Sequence, residues 1–164
     1  MKSIISALLV AAIVIAMPAG AQTKGAATAD KGTMNMEILR EKVKTDKKLI
    51  VAVNMKLTDA EGKAFWPIYD AYQKDLAAIN DRLLKMIVAY ADAYNKGAVS
   101  NETAKKLLAE ALDIEEAELK LKRAYVPKLQ KALSDVKVAL YMQIENKIRA
   151  VVRLELAANI PLVE

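Results

Sequence analysis

Apolar positions recur at helical spacing along most of the chain and fall into four blocks. In the first, Met36, Leu39, Val43, Ile50 and Val53 predict a short helix ending near Asn54. Its outward side carries Lys42, Lys44, Lys47 and Lys48. In the second, Phe65, Tyr69, Tyr72, Leu76, Ile79, Leu83, Met86, Tyr90 and Tyr94 step mainly by alternating threes and fours. That is a seam with a period of roughly 3.5, the pattern of helices packed almost parallel. The third block runs through Leu107, Ala111, Ile114, Leu121, Tyr125 and Leu129 to Leu133, and the fourth through Leu140, Ile144, Ile148, Val151 and Leu154. No two-residue alternation competes with these periods. The expected fold is all-α: long antiparallel helices forming a four-helix hairpin or bundle, with residues 34–164 as one domain.

Polar residues mark where the helices begin and end. Leu57-Thr58-Asp59-Ala60-Glu61 has an echo 76 residues later in Leu133-Ser134-Asp135-Val136-Lys137, and each is followed by an aromatic at the same offset, Phe65 and Tyr141. Thr58 with Glu61 three residues on is a capping box, and Asp59 adds negative charge at the positive end of the helix dipole. Ser134 caps the fourth helix, with Leu133 placed to fold onto Val138 as a hydrophobic staple. Ser100 opens the third helix. Gly97 closes the second and Pro161 forbids continuation of the fourth beyond about Asn159. Pro67 and Pro127 lie inside helical patterns, where each removes a backbone donor and should bend its helix.

The charged positions suggest no reaction chemistry. Asp113, Glu115, Glu116 and Glu118 followed by Lys120, Lys122 and Arg123 read as a solvated face with acid-to-base pairs such as Glu116–Lys120 and Glu118–Lys122. The carboxylate pairs Asp70/Asp75 and Glu115/Glu118 interleave with lysines and carry no sign of an apolar cleft of the kind that paired acid–base catalysis needs. Methionines are scattered at apparent core positions and read as gap fillers before copper ligands. The run Phe65 to Tyr72 is the densest in aromatics. Phe65, Tyr69 and Tyr72 lie on the seam and are expected in the core, whereas Trp66 lies off it and is a candidate contact surface, together with the basic side chains Lys42, Lys47 and Lys48.

Composition narrows the picture further. Met1-Lys2, the apolar run Ile4 to Ala16 and Ala19-Gly20-Ala21 form a secretory signal, with cleavage expected after Ala21. The run is shorter than the ~20 residues a spanning helix needs, so a stable membrane anchor is not expected. Residues 22–33, rich in Ala, Gly, Thr and Lys, read as a flexible leader. With no cysteine and no histidine, the chain cannot form disulfides and lacks the side chains of most nucleophilic, proton-shuttling and transition-metal chemistry. Its five glycines form no phosphate-binding loop, so neither a nucleotide nor any other cofactor is expected. The mature balance of 24 basic against 20 acidic residues, or +4, is spread along the chain and argues against nucleic acid.

The paired Leu-Thr/Ser-Asp starts, set in a secreted, cysteine-free helical chain, resemble the Spy/CpxP family of periplasmic proteins, recognised by two copies of Leu-Thr-x-x-Gln. Here Glu61 stands for the first Gln, Ser134 for the second Thr and Lys137 for the second Gln. The resemblance implies a curved, cradle-like homodimer in the periplasm. It also implies one of two roles without catalysis: an ATP-independent chaperone for unfolded or stressed client proteins, or a sensor or adaptor that binds a periplasmic signalling domain in envelope or metal stress.

Overall fold

The computed structural model describes residues 44–97 and 99–163. The signal, the leader, Lys42 and the first block as far as Val43 lie outside the described residues. Among the described residues there are four helices and no strands: α1 (44–55), α2 (Asp59–Asn95), α3 (Asn101–Gln130) and α4 (Asp135–Asn159). The chain is an all-α bundle, as the four apolar blocks require. No described helix is long and apolar enough to cross a membrane.

Local chemistry sets the helix ends. Thr58 Oγ1 accepts from the Glu61 amide at 3.3 Å and the Glu61 carboxylate accepts from the Thr58 amide at 2.8 Å, closing the expected capping box. Ser100 and Ser134 cap α3 and α4 in the same extended conformation, accepting from the amides of Thr103 and Lys137. α2 stops at Asn95, with its cap at Lys96. Gly97 then turns the chain at φ +112°, a conformation that favours a residue without Cβ. α2 and α3 each run on as one helix past Pro67 and Pro127, although neither proline can donate a backbone hydrogen bond.

α2 and α3 form the main antiparallel pair, while α4 touches α3 over a much shorter stretch. Arg82 with Glu110 and Asp75 with Tyr125 show the direction of the pairing. The core is a single cluster in which Val51 and Met55 of α1 and Phe65, Tyr69, Tyr72 and Leu76 of α2 meet Tyr125 and Leu129 of α3. Leu133, Val138, Tyr141 and Ile144 complete it. The rings meet edge-on, Phe65 to Tyr141 at 5.2 Å and Tyr72 to Tyr125 at 5.3 Å between centroids, so they gain quadrupole attraction besides burial.

Five apolar expectations are corrected. Val53 of α1 is 64% exposed, and Val51 and Met55 are buried in its place. On α4, Leu154 is exposed and Val151 is half exposed, whereas Val138, Tyr141 and Ile144 face the core. Along α2 the seam passes from Leu76 to Ile87 and Ala91 instead of Met86 and Tyr90. An α-helix turns once per 3.6 residues, so a stripe read at about 3.5 drifts off the contact line over several turns.

Candidate binding surface

The two start motifs come together in space. Leu57 packs against the core and Leu133 lies within it, Thr58 and Ser134 cap their helices, and Asp59 and Asp135 occupy the first turns. The fifth positions then pair with each other: Lys137 Nζ donates to the Glu61 carboxylate at 2.5 Å and lies 3.4 Å from the Lys56 carbonyl. The two departures from the Gln-containing pattern are thus of opposite charge and face one another. The Lys137 hydrogen bond, helped by the Thr58 amide, holds the Glu61 carboxyl below the usual glutamate range. These residues fasten the loop before α2 to the start of α4, a structural role.

The basic side of α1 divides into two parts. Lys47, expected to face outward, turns inward: its Nζ donates to Gln73 and to Glu145, both at 2.8 Å. Glu145 is 2% exposed, and a carboxylate at that depth needs a cationic partner, which draws Lys47 into the interior. Gln73 extends the network by donating to Glu145 and to the Tyr141 hydroxyl. Lys48 stays at the surface, where it pairs with Asp70 at 2.9 Å and lies 5.1 Å over the Trp66 ring. Lys48 and Trp66 are therefore neighbours, joined by a cation–π contact. Lys42 lies outside the described residues.

The acidic run on α3 is not uniformly solvated. Glu118 is buried and takes ion pairs from Arg149 and from Arg153, the latter at 3.0 Å, so Lys122 turns instead to Asn146. The expected Glu118–Lys122 pair is replaced because two arginines on α4 reach the buried carboxylate, Arg149 from the interior and Arg153 from the surface. Glu116 and Lys120 pair as expected, at 2.8 Å in solvent.

A second apolar surface stands clear of the core. Leu108, Leu112 and Leu119 of α3 are 63%, 58% and 49% exposed. Their spacing of four and seven puts them in one stripe. By the same geometry Lys105, Glu116 and Arg123 border one edge, and Glu115 and Lys122 border the other. The result is a row of large aliphatic groups between mixed charges.

Burial governs the titration of the tyrosines. It pushes Tyr72 up to about 12, and it does the same to Tyr125, whose hydroxyl also donates to Asp75 at 2.6 Å. Tyr69 and Tyr141 rise further for the same reason, reinforced by the nearby Glu145 charge. All four phenols are structural groups held neutral. Among the described residues, no three His, Cys, Asp or Glu side chains converge as metal ligands would.

No protein-family model matches the chain, and it matches neither a curated protein nor a solved structure.

Two features of these surfaces were missed by pattern reading. Glu118 interrupts the third block between Ile114 and Leu121 at a position where the period demands an apolar residue, and that break was the available signal. The leucine stripe of α3 lay beside the seam and was masked by the charges around it.

Proposed function

We propose that this protein is a periplasmic binding protein without catalytic activity, acting as an ATP-independent chaperone toward unfolded or partly folded clients. The observation that carries the reading is the stripe Leu108, Leu112 and Leu119, three large aliphatic side chains held in solvent between mixed charges on a rigid helix. Such a surface suits weak, sequence-tolerant capture: apolar contacts supply affinity and the surrounding charges speed encounter. Trp66, the other expected contact, is half-buried against the core beneath Lys48 and offers at most an edge to a client. The secretory signal and the resemblance to Spy/CpxP proteins support the compartment, and a homodimer would double the available surface.

Aggregation of a chemically reduced client, followed by light scattering without ATP, tests this. The mature protein is expected to suppress scattering at near-stoichiometric ratio, and a Leu108→Ser, Leu112→Ser, Leu119→Ser variant is expected to lose most of that effect while keeping its helicity. No suppression by the folded wild-type protein overturns the chaperone reading in favour of an adaptor for a signalling domain.

A further inference from the structure

A short helix on a strained joint completes the core. α1 lies across the junction of α2 and α4, where Lys47 reaches Gln73 of one and Glu145 of the other. Val51 and Met55 on the same helix are sealed in the aromatic cluster. Without an α1 in place, the buried Glu145 carboxylate loses the Lys47 ammonium and the cluster loses two of its members.

Three residues, 56–58, connect α1 to α2. The first of them, Lys56, is held at φ +44°, in the left-handed region where Cβ crowds the following carbonyl. No other described non-glycine residue has a positive φ. The turn that folds α1 back onto its own α2 is therefore strained, and a short strained connection between packed elements favours their exchange between copies. The contacts of α1 with the bundle are the same whichever copy supplies it, so the hinge distinguishes the two arrangements. Opening it relieves Lys56, against the entropy of bringing two chains together.

The corner around the hinge suits a second copy. Fully extended, residues 56–58 span ~10 Å, so an exchanged α1 would hold the start of the second copy's α2 within that reach of the corner. There Val136, in the first turn of α4, is 79% exposed. It adjoins Lys137, whose Nζ lies 3.4 Å from the Lys56 carbonyl. A large apolar side chain thus stands in solvent where the two copies would meet.

We propose that α1 is an exchangeable segment: two copies of this chain open at Lys56, and each seats its α1 across α2 and α4 of the other. In the resulting twofold dimer, Lys47, Val51 and Met55 of one copy complete the core of its partner. The exchange makes no use of the leucine stripe of α3 and does not depend on client capture.

Charge reversal across the seam tests it, because each variant is mismatched within its own chain and matched only in the other. Lys47→Glu opposes Glu145, and Glu145→Lys opposes Lys47. When the two variants are unfolded together in urea and refolded, exchange forms a mixed dimer. One seam then regains Lys47 with Glu145 and the other holds the same pair reversed. Analytical ultracentrifugation of the full mature chains, one carrying a mass tag, is expected to show this mixed dimer in several-fold excess over dimers of either variant alone. Its thermal midpoint should lie above both. No mixed dimer overturns the proposal, whether the separate variants fold as monomers or fail to fold. The hinge is tested without touching the seam. Lys56→Gly adopts a positive φ without strain, so it is expected to keep wild-type helicity and lower the dimer fraction several-fold at equal concentration. A dimer fraction unchanged by Lys56→Gly, or a wild-type chain that stays monomeric after concentrated refolding, overturns the proposal as well.

Discussion

Glu61 serves two structures at once, and its substitution separates them. Its carboxylate closes the capping box of α2 and accepts from Lys137 of the second motif. A carboxyl held below its ordinary range contributes stability above the unfolded-state value and loses it as pH falls through the folded value. Acid titration followed by circular dichroism should therefore show wild type and Glu61→Gln converging at low pH and diverging toward neutrality, with wild type the more stable. Exchanging the charges in Glu61→Lys/Lys137→Glu restores the ion pair without the box, so the double variant should recover only part of the melting temperature lost by Lys137→Glu alone. Glu145 presents the opposite balance, since its partner is held in the interior. Removing the carboxylate by Glu145→Ala leaves Lys47 poorly compensated and should cost ~3–5 kcal/mol in urea unfolding. The neutral tyrosines act at the other end of the pH scale. Their folded values lie above the unfolded one near 10, so this contribution is intact below that value and disappears as pH rises through about 12 at Tyr72 and Tyr125.

Helix starts were the most legible elements because capping is local. A hydroxyl at the cap and a carboxylate three residues later are enough to specify α2 at Thr58 without tertiary information, and Thr58→Ala should cost ~1 kcal/mol in chemical denaturation. Burial along each helix was legible only near the middle of the contact line. Phe65, Tyr69, Tyr72, Tyr125 and Leu129 sit where the period puts them, whereas Val53 and Leu154 lie at stripe edges, where a few degrees of rotation decide exposure. Glu118 and Glu145 were illegible for a different reason. A buried carboxylate is stable only if cations arrive from other helices, and the spacing within one helix says nothing about Arg149 or Lys47. α2 also holds a position where the chain is less than optimal for helix. A Cβ at Gly62 would lie 3.6 Å from Trp66 Nε1, an ordinary contact, so Gly62→Ala should stabilise the protein by ~0.5–1 kcal/mol, read from the urea midpoint.

The molecule as a whole is an aromatic knot with long polar arms. Phe65, Tyr69 and Tyr72 of α2 converge on Tyr141 of α4, Tyr125 of α3 joins them through Tyr72, and α1 closes the knot through Val51 and Met55. Away from it the helices are held by a few buried residues, Ile87, Ala91 and Ile114, and by ties such as Arg82–Glu110 and the Tyr90 hydroxyl on the Pro161 carbonyl, 2.9 Å apart. Large-to-small change in the knot, as in Phe65→Ala, should cost ~3–5 kcal/mol and broaden unfolding across all helices, while the leucine variants of α3 should leave the melting curve nearly unchanged. That contrast separates the part of the chain that maintains shape from the part available for contact. The position of Trp66 has one more consequence. As the chain's single tryptophan, it stands 5.0 Å from Phe65 and 5.4 Å from Tyr69 with the ammonium of Lys48 above it. Its emission is thus an internal gauge of whether α1 is seated, and a red shift that precedes the loss of ellipticity on warming would record the first helix lifting away before the rest comes apart.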